Sequence, residues 1–197
     1  MIGIIDYDAG NIRSVVNALK RLDVPHIVSN DRQELKKASK LILPGVGEAC
    51  SAMNSLRDVN LEQWLKEVSV PFLGICLGMQ VLFDYSTERD TQCLGIIPGT
   101  IQQFIRTESS LKVPHMGWNS VSVIKNNPLF NAIKSDDYFY FVHSYYAPLV
   151  DAAIGETGYG IQFTSAVQNN NFYGVQFHPE KSGKAGLQLL KNFVELC

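Results

Sequence analysis

The chain has 197 residues, 46% of them hydrophobic and 18% charged, with a formal net charge of −2 and a pI near 6.1. That length is enough for a substantial core and points to one domain over residues 1–197, while the charge balance gives no electrostatic reason to expect a nucleic-acid or anionic-membrane partner. Cys50, Cys76, Cys93 and Cys197 form no C-x-x-C pair and the four histidines are scattered, so neither a zinc site nor a secreted disulfide framework is suggested; no metal and no cofactor are expected.

The opening residues, Met1-Ile2-Gly3-Ile4-Ile5-Asp6, read as a strand at once. They lack a basic leader and are too short for a signal or membrane segment, which makes a reduced, cytoplasmic protein the default expectation. A turn-rich loop through Asn11 follows. Ile12, Val15, Val16, Leu19 and Leu22 then recur at helical spacing from an Asn11 cap. His26-Ile27-Val28 is a short strand, Asp31-x-x-Glu34 has the pattern of a capping box opening a second helix, and Lys40-Leu41-Ile42-Leu43 is a third strand ending at Pro44. This β-α-β-α-β alternation predicts a mostly parallel, doubly wound α/β sheet with function at the carboxyl ends of its strands.

Pro44-Gly45-Val46-Gly47 closes the third strand. Its two glycines let backbone N–H groups turn toward an anion, as in an oxyanion hole, although a plain strand-to-helix turn fits equally well. A helical region continues through Trp64 and Val68. Residues 70–82 then read as a buried strand entering a helix through Gly74-Ile75-Cys76-Leu77-Gly78, the form of a nucleophile elbow. The bend exposes the sulfur beyond the strand end, and helix N-terminal N–H groups there favour thiolate. A small buried cysteine between packing glycines is the competing reading.

After a polar stretch over residues 86–92 the helical period fades. Residues 99–104, 120–124 and 138–143 look like strands, and residues 164–168 and 172–177 flank Asn169-Asn170-Asn171 as a hairpin. These form an antiparallel section added to the parallel sheet. A last helix over roughly residues 183–195 places Leu187, Leu190, Phe193 and Val194 on one face. Just past the hairpin, His178-Pro179-Glu180 sets an imidazole and a carboxylate two residues apart. A nucleophilic cysteine needs a base that can also act as an acid, and that base needs an orienting partner; His178 and Glu180 fit, with a surface histidine beside a helix-start glutamate as the alternative.

Gly74-Ile75-Cys76-Leu77-Gly78-Met79-Gln80 together with Phe177-His178-Pro179-Glu180 resembles the class I (triad) glutamine amidotransferases, in the shared order Cys, His, Glu and over nearly the whole chain. Pro44-Gly45-Val46-Gly47, Pro114-His115-Met116-Gly117-Trp118-Asn119 and Tyr140-Phe141-Val142-His143-Ser144-Tyr145 are similar to the glutaminase subunits of imidazole glycerol phosphate synthases. Asp8 departs from the glycine often found there in that family. The resemblance implies a catalytic triad of Cys76, His178 and Glu180, with an oxyanion hole from backbone groups of Gly45, Val46 and Leu77. It also implies glutamine-binding roles for Gly47, Gln80, Glu88, Ser144 and Tyr145. Asn11, Trp118, Tyr140 and Lys181 match positions facing a partner, a (β/α)8-barrel cyclase subunit that receives ammonia in histidine biosynthesis. His115 and His143 are read as structural. A paralogous glutaminase feeding another amidating synthase, such as one in surface-sugar synthesis, and a stand-alone Cys-His hydrolase remain as alternatives.

Overall fold

The computed structural model describes residues 1–8, 11–105, 112–135 and 137–197. Ala9 and Gly10 of the first loop lie outside the described residues. The N-terminal half runs β1 (Ile2–Ile5), α1 (Ile12–Arg21), β2 (His26–Ser29), α2 (Arg32–Leu35), β3 (Lys40–Gly45), α3 (Ala49–Asp58), α4 (Glu62–Lys66) and β4 (Phe72–Cys76). Next come α5 (Leu77–Gln80), β5 (Phe83–Ser86), β6 (Thr91–Gln92), β7 (Ile97–Gln103), β8 (His115–Ser120) and β9 (Ser122–Val123). The chain closes with β10 (Tyr138–His143), β11 (Tyr145–Tyr146), β12 (Ala153–Tyr159), β13 (Ile161–Asn169), β14 (Phe172–Val175) and α6 (Gly183–Leu196).

One eight-stranded sheet, in the order β2-β1-β3-β4-β14-β13-β12-β9, carries the fold. Its β2, β1, β3, β4 and β14 pair parallel, and β13, β12 and β9 continue it antiparallel. Strand alternation divides the core between the two faces. Leu41, Leu43 and Phe72 belong to one apolar cluster with Ala52, Met53 and Leu56 of α3, whereas Ile42, Leu73 and Ile75 join Val15 and Leu19 of α1 and Leu189, Leu190 and Phe193 of α6 on the other. Being covered on both faces is why β3 and β4 read as continuous apolar runs. Smaller sheets, β10-β8 and β11-β7-β5-β6, flank this frame.

The structure departs from the sequence expectations in several places. The helix after Cys76 is a single turn, and the chain then enters β5. Of residues 120–124, Ser120 ends β8, Ser122–Val123 form β9 and Ile124 lies beyond it, with Val121 buried between the two strands. No expectation covered β12, whose glycines and Glu156 break the apolar signal; its long antiparallel register with β13 supplies what local propensity does not. On α6, Leu189 rather than Leu187 is fully buried. The capping box is only half formed. Asp31 accepts from the Gln33 N–H at 2.8 Å, but Glu34 binds the Ser29 hydroxyl, and that hydroxyl oxygen accepts the Asp31 N–H at 3.0 Å. Asp8, a departure from the glycine that the family resemblance led one to expect, has φ 61°, in the left-handed region glycine enters freely. Among the described residues no helix is long and apolar enough to cross a membrane.

Candidate active site

The elbow is built by close packing of three strands against one turn of helix. Cys76 has φ 56° and ψ −109°, a conformation costing a non-glycine residue on the order of 1–3 kcal/mol unless its surroundings impose it. They do. A Cβ on Gly78 would stand 1.9 Å from the Leu43 carbonyl oxygen, and one on Gly74 would stand 2.4 Å from the Gly78 oxygen, so α5 touches backbone where side chains would forbid it. Parallel register places Gly45 beside Cys76, and the glycine loop therefore lies at the elbow as its strand order suggested. Tyr7, buried beneath, donates its hydroxyl to the Pro44 carbonyl at 2.9 Å and pins the start of that loop. Because α5 has only one turn, the anticipated helix dipole contributes little at the sulfur. Two contacts of the sulfur are to Val142, whose carbonyl accepts from Sγ at 3.9 Å, and to Gln176, whose Nε2 donates to Sγ at 3.7 Å.

His178 follows the end of β14 and opens a 3₁₀ turn over Pro179–Lys181. Its backbone is tied to β10 twice: its N–H donates to the Tyr140 carbonyl at 2.8 Å, and its carbonyl accepts the Ser182 hydroxyl, which itself accepts the Tyr140 N–H. Nδ1 donates to Oε1 of Glu180 at 2.8 Å, and Asn11 donates to the same oxygen at 2.6 Å. Both side chains are almost wholly buried. His178 Nε2 and Glu180 Oε2 have no hydrogen-bond partner despite that burial. An orphaned nitrogen on an otherwise clamped ring is the geometry of a group waiting for a proton transfer. Burial opposes charge on this imidazole, but the hydrogen bonds and charges of Cys76 and Glu180 together outweigh it and raise the pKa to about 10.

A cavity of about 300 Å³ opens above the sulfur, at the small end of ligand sites. Cys76, His178, Val46 and Leu77 line it, and so do Gly47, Gln80, Glu88, Ser144 and Tyr145, all of the residues expected to hold a ligand. Gly45 and Glu180 do not line the cavity; they support residues that do. Pro114, Val142 and His143 line it unanticipated: only the motifs around them hinted at a role, and the bend after β10 brings Val142 and His143 in. Glu88 accepts the Ala49 N–H at 2.7 Å. Its pKa is raised chiefly by burial, with the Ala49 hydrogen bond opposing. Gln80 donates through Nε2 to the Tyr145 carbonyl and to Oε1 of Gln176, both at 2.9 Å.

The remaining expectations meet on one surface. β8 and β10 form a two-stranded ribbon whose register sets Trp118 opposite Tyr140, with ring centroids 6.0 Å apart, and Lys181 Nζ lies 5.9 Å from the Tyr140 ring. Met116, Trp118 and Tyr138 on the same face are 62%, 56% and 56% exposed, which sets aside a core role for Trp118. The opposite face of the ribbon, Phe139, Phe141 and His143, is buried. His115 Nδ1 lies 2.9 Å from His143 Nε2, and His143 Nδ1 donates to the Tyr145 carbonyl at 2.7 Å, so both rings serve as neutral buried bridges. Desolvation lowers them to about 4 and about 3. Asn11 departs from the helix-cap expectation. Its side chain makes no cap bond and reaches the Glu180 carboxylate instead.

The chain can be compared with known proteins on this basis. The family model described as glutamine amidotransferase class-I matches residues 3–197. An imidazole glycerol phosphate synthase subunit HisH from Methanocaldococcus jannaschii is 52% identical over 200 residues, covering 100% of each chain. One from Bacteroides fragilis is 47% identical over 195 residues, covering 99% of each. A crystal structure of a glutamine amidotransferase superposes with a TM-score of 0.76 at 19% identity, covering 98% of this chain and 97% of that one, a likeness of fold. The elbow cysteine, the clamped imidazole and these full-length matches agree, and the chain belongs to the class-I glutamine amidotransferases, in the group of imidazole glycerol phosphate synthase HisH subunits.

Proposed function

We propose that residues 1–197 form one cytoplasmic glutaminase domain. It hydrolyses glutamine through a Cys76 thioester and delivers the ammonia to a (β/α)8-barrel cyclase subunit that makes imidazole glycerol phosphate in histidine biosynthesis. The observation that carries the chemistry is the strained Cys76 sharing a cavity with an imidazole whose Nδ1 is clamped by Glu180 and whose Nε2 is unpartnered. Cys76 Sγ attacks the side-chain carbonyl carbon of glutamine, and His178 passes its proton to the departing amine. The acyl group remains on sulfur. Water attacks the thioester with His178 as base, glutamate leaves, and the thiolate–imidazolium pair is restored. Backbone N–H groups of Leu77 and of the Gly45–Val46 segment hold the oxyanion, each worth about 3 kcal/mol of barrier. Gly47, at φ 99° with no atom within 4 Å of a Cβ there, is the hinge that lets the loop turn its N–H inward. Gly47, Gln80, Glu88, Ser144 and Tyr145 hold the glutamine, and the carboxylate of Glu88 suits its ammonium.

Free ammonia would be protonated in bulk water, so a sealed route to the acceptor is required. The exposed side chains of Met116, Trp118 and Tyr138 on the ribbon, with half-buried Tyr140 between them and with Lys181 and Asn11, form the proposed cyclase-facing surface. The test is glutamate release by this chain mixed with the cyclase of the same genome, with and without the cyclase's nucleotide ligand, and with Cys76→Ala as control. Strong stimulation that disappears in the variant is expected. A folded, mixed pair without stimulation would remove the histidine assignment.

A further inference from the structure

We propose that Gln176 is a further catalytic residue, a buried amide that donates to the Cys76 sulfur and stabilises its thiolate, held in that orientation by Gln80. The proposal rests on Cys76 being the nucleophile. Gln176 is fully buried, and its Nε2 lies 3.7 Å from Sγ. The direction of this bond follows from a chain of contacts ending on a backbone carbonyl. Tyr145 O can only accept, so the Gln80 atom 2.9 Å from it is the amide nitrogen; that same nitrogen also lies 2.9 Å from Gln176, which must present its oxygen there. The other arm of the Gln176 amide is then the NH₂, and it faces the sulfur.

A donor at this place answers a specific electrostatic need. Cys76 is nearly buried, which disfavours charge, and the Val142 carbonyl that accepts the thiol proton at 3.9 Å becomes an unfavourable neighbour once the proton leaves. The one-turn α5 supplies little compensating dipole, so the groups left to favour the anion are the His178 imidazole, which shares the cavity, and the Gln176 amide. A fixed N–H aimed at sulfur favours the anion and requires no reorganisation as charge builds or returns during the two steps.

The test is alkylation of the full-length chain by iodoacetamide across the acid and neutral range, with modification of the Cys76 peptide followed by mass spectrometry so that Cys50 and Cys197 do not contribute. In Gln176→Met, similar in size but without the donor, the acid-side midpoint of the alkylation profile is expected to rise by about one pH unit. In Gln176→Glu, which brings a carboxylate to the sulfur, it should rise further. The glutamate variant is closest in shape and carries the test alone if the methionine variant does not fold. With the cyclase present, kcat should fall about tenfold for Gln176→Met at unchanged KM. An unchanged alkylation midpoint in either folded variant overturns the proposal. The alkylation readout needs neither glutamine nor partner: its failure leaves the glutaminase reading standing, and missing glutamate release with a shifted midpoint would sink only that reading.

Discussion

Oε1 of Glu180 receives two hydrogen bonds, one from His178 Nδ1 and one from Asn11. The second donor fixes the carboxylate that holds the His178 ring, so in the proposed mechanism Asn11 is a positioning residue that ties the proposed partner-facing surface to that ring through a single side chain. A hydrogen bond to a charged group is worth about 1.5–3 kcal/mol. Asn11→Ala should therefore lower kcat of the glutaminase reaction by at least about tenfold while leaving KM unchanged, in steady-state assays of the assembled complex. A change confined to KM would show that Asn11 acts on ligand binding and not on the imidazole. In the sequence Asn11 is legible as a helix cap and, by resemblance, as an interface residue. Its bond to Glu180 spans 169 residues, and no local signal encodes that. The same holds for Gln176, which looks like an ordinary strand-end residue until Gln80 and Cys76 are placed around it.

At the scale of elements, the elbow depends on β3 as much as on its own strand. Gly78 meets the Leu43 carbonyl so closely that an added methyl would stand 1.9 Å from it, and a backbone oxygen cannot step aside as a flexible side chain could. Gly78→Ala should cost about 3 kcal/mol in urea unfolding and displace the turn that carries Leu77. An unchanged stability would mean that α5 can move off β3 without loss. The glycines of this motif are legible in the sequence, but their reason is not: turn conformation explains the bend, whereas close approach of α5 to β3 explains Gly78. β8 and β10 show the reverse case. Their alternation of exposed Met116, Trp118 and Tyr138 with buried Phe139 and Phe141 is a regular strand pattern, yet which aromatics face outward was decided by the core beneath them.

For the whole molecule, buried imidazoles of opposite behaviour shape stability against pH. His115 and His143 have folded pKa values near 4 and 3, below the ordinary 6.5, so their contribution is present above 6.5 and is lost as the unfolded chain takes protons the folded one refuses. His178, raised to about 10, behaves oppositely: its contribution is complete below 6.5 and declines as pH rises through 10. Each imidazole contributes up to about 1.4 kcal/mol per pH unit within its window. Unfolding free energy from urea titrations should consequently be greatest near pH 6.5, falling on the acid side between pH 6.5 and 4 and, more gently, on the alkaline side. Glu88, with its raised pKa, works against the acid limb and softens it. The buried Cys93 thiol, pushed up to about 12, steepens the alkaline limb only above its ordinary 9, so the decline from 6.5 to 9 belongs to His178. A His178→Gln variant should lack that decline; a variant that keeps it would place its origin elsewhere.

The parallel α/β frame, the elbow around Cys76, the His178–Glu180 pair and the hairpin at Asn169-Asn170-Asn171 were determined by the sequence itself, because strand alternation, glycine-bounded bends and turn residues act over short distances that periodicity records. The tertiary structure alone decided what crosses those distances. It shortened the helix after Cys76, paired the glycine-rich β12 with β13, turned Trp118 outward, and brought Asn11 to Glu180, Gln80 to Gln176 and Gln176 to Cys76. The physical reason is the same in each case: packing and hydrogen bonds between segments distant in the chain outweigh local preferences, and only the folded arrangement says which segments meet.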